Sequence, residues 1–177
     1  MQKVFLIFGP SGSGKSTVAE EYAKKYNFLN YEIDRPGGSD GIDFYQIREQ
    51  WDIFLNCGQP QPLLTELIQR AKKARKRGLV MSLPSMIPDH RLLATAQNAG
   101  LASIILYGTA EECLTAFRRR EKETGRNFSD EHWFNYNALS YIKMGFSEYS
   151  SFRISTFING KRIKLNKILD DISKRII

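Results

Sequence analysis

Eight residues near the start, Gly9-Pro10-Ser11-Gly12-Ser13-Gly14-Lys15-Ser16, restrict the fold more than any other part of the chain. They fit G-x-x-x-x-G-K-[ST] at every fixed position. Glycine tolerates positive φ, so a turn this rich in it can aim several backbone N–H groups into one concavity and admit phosphate oxygens. Before it lies Lys3–Phe8 (KVFLIF), which reads as a buried strand. After it, a helical pattern runs from Lys15 to Tyr26 with Val18, Ala19, Tyr22 and Ala23 on one face. Strand, glycine turn and helix in that order place a positive helix end beneath the concavity. Chance gives the four fixed positions in roughly one chain of this length in one or two hundred at average residue usage. The motif assigns Gly9, Ser11, Gly12, Ser13, Gly14, Lys15, Ser16 and Thr17 to a bound nucleotide. Lys15 then reaches the β- and γ-phosphates, and Ser16 Oγ is a magnesium ligand.

The rest of the chain alternates strand and helix patterns. Strands are expected at Phe28–Ile33, Leu79–Leu83, Leu101–Tyr107 and Phe152–Ile158. Helices are expected at Gln46–Leu55, at Leu63–Arg77 with Gly78 closing it, from the N-cap Asp89 to Ala99, and over Glu111–Lys122 behind a Thr109–Glu112 capping box. Ser129 opens a further helix with Trp133, Phe134, Tyr136, Leu139 and Ile142 among its apolar members, and Leu165–Ile177 closes the chain. Alternation with crossovers of this length implies an α/β fold: a doubly wound, mostly parallel five-stranded sheet with helices on both faces. Asn159-Gly160 is a hairpin signal and gives the last strand an antiparallel partner. No linker or repeat interrupts the 177 residues, which suit a single domain.

GPSGSGKST after a short N-terminal strand resembles the small P-loop kinases: shikimate kinase, gluconate kinase, the adenylate-kinase group and zeta-toxin-like sugar kinases. The likeness implies a five-stranded parallel core, a mobile arginine-bearing lid and an acceptor site over the carboxyl ends of the strands. It points to Asp34, after the second strand, as the carboxylate near the acceptor hydroxyl, and to Arg118–Asp130 as the lid. Three successive arginines, Arg118 to Arg120, fan over about 200° of a helix, so at most two face one phosphate. Arg119 and Arg126 are the lid candidates for catalysis beside Lys15 and Asp34, and Arg126, next to Gly125 on a helix break, is the freest to swing. Gly41–Pro62 is the expected acceptor region. One departure is the third strand, Leu79-Val80-Met81-Ser82-Leu83-Pro84-Ser85, which has no aspartate for the metal. Ser82 or Ser85 is left to contact a water on it.

The activity that follows is transfer of the ATP γ-phosphate, with Mg²⁺, to a small-molecule acceptor. Nucleoside, nucleotide or polynucleotide 5′-end kinase activity is the alternative. A non-catalytic switch ranks below both: Asp34-Arg35-Pro36-Gly37 comes too early for that role, and Asn166-Lys167 lacks the aspartate of an N-K-x-D guanine signature. A formal charge of +7 favours anionic partners without choosing among them. Its densest run, Arg70–Arg77, is read as a solvated helix face, so nucleic acid is not favoured. Val4–Phe8 is far too short to span a membrane, so the expected location is cytoplasmic, as monomer or homodimer. Cys57 and Cys113 lie far apart without metal-ligand spacing and read as reduced thiols.

Overall fold

The computed structural model describes residues 2–33, 47–126 and 128–176. Its main sheet is wholly parallel, in the order β2-β3-β1-β4-β5. The strands are β1 (Lys3–Phe8), β2 (Phe28–Glu32), β3 (Gly78–Ser82), β4 (Leu101–Tyr107) and β5 (Arg153–Ser155). β1 lies at the centre, with Ile7 beside Ser82 of β3 on one side and Ile104 of β4 on the other. Its side chains alternate between two apolar layers, as the pleat requires. Val4, Leu6 and Phe8 join the core beneath α2 (Arg48–Cys57), α3 (Gln61–Lys73) and α4 (His90–Asn98). Phe5 and Ile7 join the core beneath α1 (Lys15–Tyr26) and α7 (Leu165–Arg175). Helices thus cover both faces, the arrangement that lets a parallel sheet be apolar throughout.

Several features differ from those read in the sequence. α3 ends at Lys73, not Arg77, because Arg75 takes a left-handed φ of 55°. Two backbone bonds close the end, Arg75 N to Lys72 O and Lys76 N to Ala71 O, both 2.9 Å, which is a Schellman cap made without glycine. Gly78 serves the sheet instead: a Cβ there would overlap the carbonyl oxygen of Lys3 and crowd the Phe28 ring. The fifth strand shrinks to Arg153–Ser155, and Ser147–Phe152 before it is a 3₁₀ helix. The Asn159-Gly160 turn does form a hairpin, but as a separate ribbon of β6 (Phe157–Ile158) and β7 (Lys161–Arg162) outside the main sheet.

A further difference concerns the buried face of α6 (Asp130–Gly145), which follows α5 (Ala110–Glu123). Ser129 caps α6 by accepting from His132 N at 3.1 Å, and Thr109 and Glu112 form the expected capping box on α5. Of the apolar residues expected to anchor α6, only Trp133 is buried; Phe134, Tyr136, Leu139 and Ile142 are exposed. The buried face is Trp133, Asn137, Ser140 and Met144, half of it polar, because it packs on backbone that needs hydrogen-bond partners.

Candidate active site

The phosphate loop hangs between the end of β1 and the first turn of α1. Gly12 has φ +91°, and a Cβ on it would overlap the carbonyl oxygen of Cys113 on α5. Only glycine therefore lets the loop pass this close to α5. α6 grips the loop from another direction. Asn137 Oδ1 accepts from Ser11 N at 2.8 Å, Trp133 Nε1 donates to Ser11 O at 3.1 Å, and Ser140 Oγ donates to Ser85 O. Ser11 and Ser85 are joined in turn through their hydroxyls at 3.2 Å. On the β6–β7 ribbon, Arg162 lies over the Phe157 ring at 4.4 Å. Its guanidinium donates to Ser13 O at 2.7 Å and to Gly12 O at 2.9 Å. Ser13 N closes the loop on itself by donating to Pro10 O at 3.1 Å, so side chains from three elements and one internal bond fix its backbone. Lys15 Nζ lies against the loop, donating to Gly9 O at 2.8 Å and Pro10 O at 3.2 Å.

A cleft of about 470 Å³ opens above the loop. It is lined by Ser11, Gly12, Gly14, Lys15, Ser16 and Thr17, by Glu32 and Ser82 from the ends of β2 and β3, and by Arg119, Arg120, Arg126 and Arg162. Glu32 is the carboxylate brought beside Ser16: it is buried and accepts from Ser16 Oγ. Its neighbour in register is Ser82, whose buried hydroxyl has no hydrogen-bond partner among the described residues. Ser16 Oγ, a carboxylate and a spare hydroxyl are hard oxygen donors that suit Mg²⁺ and its waters. Asp34 lies outside the described residues.

The arginines divide by position. Arg118 pairs with Asp130 at 2.8 Å on the surface, and its guanidinium holds the Asp130 carboxyl below the usual carboxylate range. Arg119 is exposed, pairs with Glu123 at 3.9 Å, and reaches both the main cleft and an adjoining cavity of about 400 Å³. Arg120 and Arg126 share the buried carboxylate of Glu121, at 2.7 and 3.3 Å. The guanidinium read as freest in the sequence is thus tethered, with Thr124 Oγ1 as a further contact at 3.3 Å. Burial pushes the Cys113 thiol, behind Gly12, above its ordinary pKa. Among the described residues no helix is long and apolar enough to cross a membrane.

Glu32, Glu121, Asn137 and Arg162 were not singled out from sequence. Glu32 carried a usable signal, an acid closing a strand next to the phosphate loop. Arg162 followed a recognised hairpin turn, but nothing in the sequence shows where that hairpin aims.

A five-stranded parallel sheet with a glycine-rich loop and lysine between its central strand and first helix defines a P-loop nucleotide-binding protein. The family model described as an AAA domain matches residues 1–117, and the chain belongs to that family. Within the P-loop class its fold is that of the small kinases. It superimposes on a sugar kinase of a Janibacter species with a TM-score of 0.58, at 15% identity over 99% of this chain and 95% of that one. With the shikimate kinase of Bacteroides thetaiotaomicron the TM-score is 0.53, at 12% identity over 97% of each chain. A segment of 63 residues is 36% identical to the guanylate kinase of Oceanobacillus iheyensis, spanning 32% of this chain and 31% of that enzyme.

Proposed function

We propose that the protein is an ATP-dependent phosphotransferase that moves the γ-phosphate to a small-molecule acceptor. The observation that carries this reading is one cleft holding the phosphate loop, a carboxylate on Ser16, and arginines from α5 and the β6–β7 ribbon. Phosphoryl transfer needs positioning and charge neutralisation more than covalent help from the protein, and those groups supply both. Arg119 and Arg162 line both cavities, so phosphates seated on the loop leave the nucleoside to the adjoining space beside Thr115, Ala116 and Phe157. Ser16, Glu32 and Ser82 would hold Mg²⁺ and its waters, and the bound ion would neutralise charge on the β- and γ-oxygens. Lys15, leaving its loop carbonyls, meets the γ-phosphate; Arg119 and Arg126 bring positive charge to the transferring group. Gly41–Pro62 would build the acceptor pocket, and Asp34, two residues beyond Glu32 in the sequence, would orient the acceptor hydroxyl or take its proton.

A nucleotide acceptor is the second reading, favoured by the segment shared with a guanylate kinase. One assay separates the two: ATP consumption measured against sugars, shikimate-like acids, nucleosides, nucleotides and 5′-hydroxyl oligonucleotides. A single acceptor class that raises consumption well above the acceptor-free rate, with the acceptor recovered phosphorylated, is the expected result. ATP bound but no acceptor phosphorylated would remove the phosphotransferase reading. A hit confined to oligonucleotides, with affinity falling steeply as salt rises, would move the substrate to nucleic acid.

A further inference from the structure

α6 is built inside out. Its polar residues Asn137 and Ser140 face inward, while large apolar residues face outward. Phe128, Leu139, Ile142 and Phe146 expose 46, 59, 59 and 54% of their surface. On α6 itself His132, Asn135, Leu139 and Ile142 fall at steps of three, four and three, with Phe128 just before the N-cap Ser129 and Phe146 at the extended C-cap. That period is the seam of two packed helices, in which each seam residue enters a hole on a facing helix. The seam lies opposite the stripe Trp133-Asn137-Ser140-Met144, so α6 can hold the phosphate loop and pair outward at once. Rings extend it lengthwise: Phe128 stacks on His132 at 5.0 Å and His132 on Tyr136 at 6.3 Å.

We infer that the outer face of α6 is a dimer interface, occupied by α6 of a second copy of this chain about a two-fold axis. Three observations select that occupant. At about 200 Å² for a large side chain, the seam with Phe134 and Tyr136 beside it on α6 leaves on the order of 600 Å² uncovered. One partner's share of a standard interface is about 800 Å². The seam period asks for a helix across from it, and a second α6 supplies one of matching length and pattern, as an isologous contact requires. Asn135 sits in the seam between His132 and the apolar Leu139 and Ile142, where an unrelated apolar surface would strand its amide. A second copy brings the same amide to the same seam, the arrangement that sets register in paired helices. A membrane surface fits less well, because α6 lacks a basic fringe. Its charged residues are Asp130, Glu131 and Lys143, and Lys143 Nζ donates to Ile87 O at 2.7 Å. The inference does not depend on which group the site transfers.

Sedimentation of the full chain at rising concentration tests it. The expected mass rises toward twice the 20.3 kDa of one chain. Leu139→Arg with Ile142→Arg should return it to one chain with unchanged circular dichroism, while Ile158→Arg, 53% exposed on the hairpin, should leave the dimer intact. Should the double variant misfold, Asn135→Cys in a Cys57→Ser background replaces it, and mild oxidation should then link two chains covalently. A wild-type chain that stays single up to its solubility limit would overturn the inference. So would a dimer that survives both arginines, or an Asn135→Cys chain that never crosslinks. Cosedimentation of a single-chain species with phosphatidylserine vesicles would transfer the face to a membrane.

Discussion

Replacing Asn137 with alanine isolates the contact between α6 and the phosphate loop. Asn137 is fully buried, accepts from Ser11 N at 2.8 Å and donates to Trp133 O at 2.7 Å. Alanine removes the acceptor and leaves the Ser11 N–H facing a small void, at a cost of about 1–3 kcal/mol for the unsatisfied donor. Better helix propensity returns roughly 0.5 kcal/mol. A net loss of about 1.5 kcal/mol lowers the melting temperature of a protein this size by roughly 3–6 °C. Part of the loss falls on the loop itself, since Ser11 is then held from the α6 side by Trp133 alone. If 1.4 kcal/mol of it falls there, KM for ATP rises about tenfold. Thermal unfolding with and without MgATP, paired with steady-state kinetics, reads both. An unchanged melting point together with an unchanged KM would refute the claim that α6 organises the loop.

Glu32→Gln keeps the shape beside Ser16 and removes the charge, so half-saturation by Mg²⁺ should rise about 10–100-fold, the range for a group supporting a metal site. A magnesium dependence identical to wild type would remove Glu32 from that role. Arg126→Ala should lower kcat with a smaller effect on ATP binding, because it stands beside the cleft on the Glu121 carboxylate; unchanged kinetics would shift the role to Arg119 or Arg120. Asp34→Asn should lower kcat by about 10²-fold with little change in melting temperature, whereas full activity would leave Asp34 a turn residue. Thiol labelling of the native protein at neutral pH should modify Cys57, which is exposed, and spare Cys113, which is buried with its pKa raised by desolvation. Rapid labelling of both in the folded state would contradict the packing of α5 on Gly12.

The parallel sheet and the phosphate loop were legible because both are written locally. Apolar strands bounded by turn residues, and a glycine motif between strand and helix, need no knowledge of distant contacts. α6 was misjudged for the opposite reason. Its apolar residues fit a helical period, yet whether they face inward depends on what lies beneath, and there it is loop backbone requiring Asn137 and Ser140. The end of α3 shows a smaller version of the same limit: Gly78 looked like a cap, but the sheet needs it and Arg75 takes the left-handed position. In the site, Lys15 and Ser16 line the cleft within the motif, whereas Asn137 and Arg162 act across gaps in sequence. Arg162 meets Ser13 O from 149 residues away.

The central claim is that Gly9–Ser16 holds a nucleotide triphosphate whose γ-phosphate leaves through the charge of Lys15. Release of γ-phosphate from labelled ATP by wild type and by Lys15→Ala, at saturating Mg²⁺ and matched folded concentration, tests it most directly. The expected result is turnover in the wild type that disappears in Lys15→Ala while circular dichroism and melting stay unchanged, because Lys15 lines the cleft and does not pack the core. Near-native turnover in Lys15→Ala would contradict the account.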